Sequence, residues 1–329
     1  MLNSYFCSSQ LGSCAGVPRF GLCRAVAGAA RAGTGLCMLS TSTRFADFAT
    51  EESLSIRGDG GEVRGNLMLP DTSGDVAVLL LHGWGGLRSG PHNMITHFAR
   101  ALAEAGVASL RFDFRSRGES SGDGESDGAS LPGMAADSLA AASALMERSG
   151  AAKLVTLGVC SGGNVAIGIL DRLPKPAGLF LLSVYPFSDG DAFGRDARRT
   201  AHFLAIYWRK LWMRETWRKF FRGEIFFRSI GKVLFGHHFN KKEDALAQDA
   251  EAASEDHRKN LRRINCRTEM IYGEADPDFE ASHAYFEEYR AKHGLDMHFH
   301  VISGANHNYF SLAWKDEITA RLLDFVQRI

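Results

Sequence analysis

The feature that most restricts what this chain can fold into is an alternation of short apolar runs with stretches whose apolar residues recur at helical spacing. Residues 76–81 are the plainest run, six apolar side chains closing at His82-Gly83. Ile95, Phe98, Ala99 and Leu102 then repeat with a helical period up to Gly106, and a second run occupies 109–114. The pattern continues with a helix near 134–147, a strand at 154–159, a helix at 161–173 and a strand at 178–184. Upstream, 54–56 and 62–69 read as opening strands joined by the turn Gly58-Asp59-Gly60-Gly61. Such an order predicts an α/β fold, a mostly parallel sheet with helices on both faces. The rhythm breaks at Pro186 and resumes with a strand at 269–273, a helix at 279–293, a strand at 297–303 and a last helix ending at Ile329. We therefore expect one α/β domain over 47–329, interrupted at about 187–262 by a helical insert with no good strand candidate.

Charge is spread unevenly along the 329 residues, although it sums to zero. Residues 1–46 carry Arg19, Arg24, Arg31 and Arg44 and no acid, and they are rich in Ser, Ala, Gly and Cys. An Arg-bearing, acid-free leader of this kind predicts a disordered targeting presequence, with the mitochondrion as destination ahead of the plastid. Four of the six cysteines (Cys7, Cys14, Cys23, Cys37) lie in it at spacings that match no metal motif, which leaves Cys160 and Cys266 downstream. Two distant cysteines make no disulfide framework. No apolar stretch reaches the roughly 18 residues of a membrane span.

Active sites of open α/β sheets gather at the carboxyl ends of strands, and three such ends carry reactive groups. The first is Gly158-Val159-Cys160-Ser161-Gly162-Gly163, between a strand and a helix. A nucleophile on a sharp strand-to-helix turn needs small residues two places before and two after it. Cys160 has Gly158 and Gly162 there, whereas Ser161 would have the β-branched Val159, so the frame selects the thiol over the hydroxyl. The start of a helix also favours a thiolate. The base and the group that orients it are expected at later strand ends. Gly273-Glu274-Ala275-Asp276-Pro277 supplies Asp276, with Glu274 and Asp278 as competitors, and Gly304-Ala305-Asn306-His307-Asn308 supplies His307. The third end, His82-Gly83-Trp84-Gly85-Gly86, is a Gly-rich turn whose Trp84 N–H, with that of Ser161, would hold an oxyanion.

These segments together resemble the α/β-hydrolase family in their order along the chain. The resemblance rests on the turn at 82–86, the run Phe112-Asp113-Phe114-Arg115-Ser116-Arg117-Gly118-Glu119-Ser120, the elbow at 158–163, the acid loop at 273–276 and the His loop at 304–307. It departs from the family at two places. Ser116 stands where Gly is usual, and Cys160 stands where most members have Ser, as in dienelactone-hydrolase-like and polyester-synthase-like members. The elbow and the basic insert are also similar to the exosortase-system-associated hydrolases. The resemblance implies hydrolysis of an ester, thioester or lactone carbonyl through a Cys-His-Asp triad, or acyl transfer by the same triad.

The insert carries the remaining signal. Residues 198–242 hold 12 Lys or Arg against two acids, interleaved with aromatics that include Trp208 and Trp212. A lid over the nucleophile predicts that part of this aromatic face packs as pocket wall, with Trp208 and Trp212 touching substrate. The same residues suit an anionic or amphipathic acyl substrate, or peripheral contact with an anionic membrane, which would make the chain a lipid- or carrier-binding module. Nucleic acid ranks last, because the surrounding chain is acidic. No cofactor and no metal is expected. His298 and His300 alternate along the last strand as a polar face, and the loop Asp123-Gly124-Glu125-Ser126-Asp127-Gly128 has Met134 where a calcium loop needs Glu.

Overall fold

The computed structural model describes residues 39–58, 61–122, 131–186 and 264–329. The insert with Trp208 and Trp212, the acidic loop at 123–128 and residues 1–38 of the leader lie outside the described residues.

Nine strands form one sheet among the described residues: β1 (Leu39–Ala46), β2 (Ala49–Gly58), β3 (Gly61–Pro70), β4 (Val76–Leu81), β5 (Ala108–Phe112), β6 (Lys153–Val159), β7 (Pro176–Leu182), β8 (Arg267–Gly273) and β9 (Met297–Ile302). Their order across the sheet is β1-β2-β3-β5-β4-β6-β7-β8-β9. The first three strands and the β3–β5 pair are antiparallel, and β5, β4, β6, β7, β8 and β9 run parallel. Among the described residues five α-helices flank them: α1 (Met94–Glu104), α2 (Leu131–Ser149), α3 (Ser161–Gly168), α4 (Phe279–His293) and α5 (Leu312–Gln327).

The period-2 alternation of a strand divides the core into two layers. Within β4, Ala77, Leu79 and Leu81 point into a cluster with Leu145 of α2, Ile167 of α3 and Phe286 of α4. Val78 and Leu80 point to the other face, where Met94, Ile95 and Phe98 of α1 meet Ile318, Leu322 and Phe325 of α5. A strand covered on both faces has no polar side to show, which explains the unbroken apolar run at 76–81.

Three elements differ from the sequence reading. The expected helix at 161–173 ends as α3 at Gly168 and gives way to a 3-10 turn, Leu170–Arg172. The run at 109–114 pairs as Ala108–Phe112, and Asp113 and Phe114 turn into the following loop. The leader boundary drawn at 46 falls inside the sheet. Residues 39–46 are β1, in register with β2 from Leu39 opposite Ser55 to Ala46 opposite Ala49. Its Arg44 reaches Asp71 in a half-exposed ion pair, which contributes little by itself because both groups remain in water. The pairing is that of a local hairpin, with Ala46 opposite Ala49 across the turn at 47–48, and a Ser/Thr/Arg composition without apolar alternation hides it.

Candidate active site

Cys160 follows β6 directly and caps α3, with φ 55° and ψ −123°. A side chain at positive φ costs energy and persists only where its surroundings fix it. Here the Cys160 N–H donates to the Leu182 carbonyl (2.8 Å) and the Gly163 N–H donates to the Cys160 carbonyl (3.0 Å). The flanking glycines are required by close approach. A Cβ on Gly162 would lie 2.5 Å from the His82 carbonyl oxygen and 2.7 Å from that of Leu81, and one on Gly158 would strike the backbone of Gly163. The elbow therefore sits wedged against the end of β4.

That contact brings the Gly-rich turn to the elbow. His82 is fully buried; its Nδ1 lies 2.7 Å from the Gly83 carbonyl and its Nε2 accepts from the Phe114 N–H at 3.3 Å. These partners assign the proton to Nδ1. Burial lowers the His82 pKa to about 4, so the ring is neutral and serves as a tie between the loops after β4 and β5. Trp84 donates its backbone N–H to Ser161 Oγ at 2.6 Å. Its ring is about a third exposed, with the Arg117 guanidinium 5.8 Å above it. In the same loop Ser116 adopts φ 61°, the left-handed geometry that explains why Gly is usual at this place.

On the other side of Cys160, the loops after β8 and β9 are stitched together. Ala275 N–H donates to the Ala305 carbonyl (2.8 Å), and Glu274 N–H to that of Ile302 (3.0 Å). His307 Nδ1 lies 2.7 Å from Asp276 Oδ2, and the Asp276 side chain is buried. Asp276 also accepts the Asp278 N–H at 3.1 Å. The three acids are thus separated by geometry. Glu274 accepts from Ser303 Oγ and the Gly304 N–H, both at 2.8 Å, Asp278 stands at the N-cap position of α4, and Asp276 is the one that meets His307. Burial would raise the Asp276 pKa, but hydrogen bonding from His307 and its charge hold it below the usual carboxylate range. Burial would likewise lower the His307 pKa; the hydrogen bonds to Asp276 and Cys160 raise it to about 10.

The structure therefore gathers Cys160, Asp276, His307, Trp84 and Ser161 at one end of the parallel strands, while Trp208 and Trp212 fall outside the described residues. His298 and His300 bond Asp296 (2.9 Å) and Glu317 (2.6 Å) instead. Two residues that the sequence did not single out support the acid. Tyr309, fully buried at φ 46°, donates its hydroxyl to the Ile271 carbonyl (3.1 Å) and pairs with Ser183 Oγ (2.8 Å). Ser183 in turn helps to hold Asp276 ionised. No periodicity or motif marks either one.

A model of the alpha/beta hydrolase family matches residues 78–321. Among solved structures, an esterase of Pyrococcus furiosus is similar at 16% identity and a TM-score of 0.58, over 91% of this chain and 99% of its own. A dienelactone hydrolase of Anabaena variabilis (15%, TM-score 0.55) is similar over 85% of this chain and 98% of its own. A carboxyl esterase of Bacillus coagulans (14%, TM-score 0.56) is similar over 84% and 98%. At these identities the likeness is one of fold. A comparison with curated proteins finds no match.

Proposed function

The chain belongs to the alpha/beta hydrolase family, and from that premise we propose that it hydrolyses an ester, thioester or lactone carbonyl with Cys160 as nucleophile. The observation that carries this reading is the meeting of a thiol on a positive-φ turn with a His307–Asp276 pair at 2.7 Å.

In the proposed reaction His307 Nδ1 faces Asp276, so Nε2 is the nitrogen that takes the thiol proton. Sγ forms a bond to the carbonyl carbon, and the π pair moves onto oxygen. Asp276 stays ionised and stabilises the imidazolium, in keeping with the raised pKa of His307. The backbone N–H groups of Ser161 and Trp84 receive the oxyanion. Its collapse breaks the bond to the leaving group, which takes the proton from His307. Water then attacks the acyl-enzyme, giving one proton to His307, and expulsion of Sγ returns that proton to the thiol. Esterases and a dienelactone hydrolase among the structural neighbours support a small ester or lactone as the first substrate class to try. The resemblance to Cys-bearing members adds thioesters.

Intact-mass spectrometry after brief exposure to p-nitrophenyl acetate tests the nucleophile. We expect an added acetyl group on the wild type and on Ser161→Ala, absent from Cys160→Ala, and turnover lowered at least a thousandfold in Cys160→Ala. An adduct that survives in Cys160→Ala would overturn the assignment.

A further inference from the structure

The Trp84 amide is already occupied. It donates to Ser161 Oγ at 2.6 Å, and Ser161 is almost wholly buried. The oxygen that fills this place is a side chain of the elbow itself, one residue after the nucleophile. We propose that the Ser161 hydroxyl is a placeholder for the substrate oxygen: it satisfies the Trp84 N–H while the site is empty and yields to the carbonyl oxygen when substrate arrives. This inference rests on the Cys160 reading above and adds a positioning residue to it.

The surrounding packing leaves the side-chain torsion as the way to open the site. The turn at 82–86 cannot press closer to the elbow. Gly162 already approaches the His82 carbonyl so closely that a Cβ there would lie 2.5 Å from its oxygen. A Cβ on Gly83 would lie 3.2 Å from that of Cys160 and 3.3 Å from the Val159 carbonyl. The backbone donor is therefore packed tightly against the elbow, and a buried amide with no partner is costly. Rotation of Ser161 about its Cα–Cβ bond is the small movement that releases the amide.

The exchange is selective because of charge. A neutral carbonyl oxygen and a neutral hydroxyl are matched as acceptors, so the hydroxyl competes with bound substrate. A developing oxyanion accepts a charge-assisted hydrogen bond of about twice the strength, so it displaces the hydroxyl with far greater advantage. Freeing the amide from the hydroxyl costs the bound carbonyl and the oxyanion alike, so the placeholder raises KM and leaves kcat unchanged.

The test pairs a contact readout with a kinetic one on the full chain. Backbone amide spectra of 15N-Trp-labelled protein, with Trp84 assigned through Trp84→Phe, report the hydrogen bond directly. In Ser161→Ala the Trp84 amide proton should move upfield, and KM for p-nitrophenyl acetate should fall about threefold to tenfold, the size of one neutral hydrogen bond. Ser161→Thr, which restores a hydroxyl, should return both toward wild type. An unmoved amide, or a KM that is unchanged or raised in Ser161→Ala, overturns the placeholder; a drop in kcat of a hundredfold with constant KM would make the hydroxyl a direct donor to the oxyanion instead. If Cys160→Ala keeps wild-type turnover, the underlying reading fails by itself, and the amide shift still decides the contact.

Discussion

Cys160 and His307 face each other, yet they are held in place by different means. The elbow is fixed by backbone against backbone: Gly162 meets the His82 and Leu81 carbonyls where even a methyl group would overlap, and Cys160 is forced to φ 55°. The base is fixed by hydrogen bonds and charge, through Asp276, the stitched loops after β8 and β9, and the Ser183–Tyr309 pair behind them. Packing is indifferent to pH and intolerant of volume, whereas an ion pair is the reverse. The two halves should therefore fail differently when disturbed.

The largest effect is expected at the charged half. Asp276→Asn should lower kcat about a thousandfold to ten-thousandfold, as loss of the acid does in catalytic triads generally, while far-UV circular dichroism stays unchanged. Its stability deficit should also depend on pH. Asp276 is depressed below 3.8, so its contribution is present above that value and is lost as pH falls through the lowered pKa. His307 is raised from 6.5 to about 10, so its contribution is full below 6.5 and disappears as pH rises through about 10. The gap between wild type and variant in urea melts should be widest between about pH 4 and 6.5 and close on either side. A flat gap would break the contrast.

Gly162→Ala probes the packed half. A Cβ jammed between two carbonyl oxygens should cost about 3 kcal/mol, with the same deficit at pH 5 and pH 9. A pH-dependent deficit would show that the elbow and the ion pair are one unit. The smallest effect sharpens the boundary between them. Tyr309→Phe removes one hydroxyl from the support of Asp276 and should cost about 1 kcal/mol in denaturant melts, with KM for p-nitrophenyl acetate unmoved; a changed KM would place Tyr309 in contact with substrate.

The same contrast explains what the sequence displayed. The packed half was legible because packing leaves a residue signature: the glycines at 158 and 162 mark the thiol between them, and the unbroken run at 76–81 marks a strand covered on both faces. Asp276 and His307 can be named from their places after strands, but Glu274 and Asp278 compete with Asp276 until distance separates them. Ser183 and Tyr309 carry no local pattern, since their value comes from meeting across 126 positions of chain. The Trp84–Ser161 bond was hidden for the same reason: two expected backbone donors turned out to be joined through a side chain. The pairing of residues 39–46 was hidden because a Ser/Thr-rich segment has the composition of a tail whether or not a partner strand accepts it.

The pairing of β1 bears on how the chain can be processed. β1 pairs along the outer side of β2, with Arg44 anchored to Asp71. A protease cut after residue 46 would strip this pairing and leave β2 with a bare row of amide and carbonyl groups, a template for joining other chains end to side into aggregates. A cut before Leu39 would leave β1 as the edge, a shorter strand that carries the charged Arg44. The position of a cut near β1 is then a matter of colloidal safety.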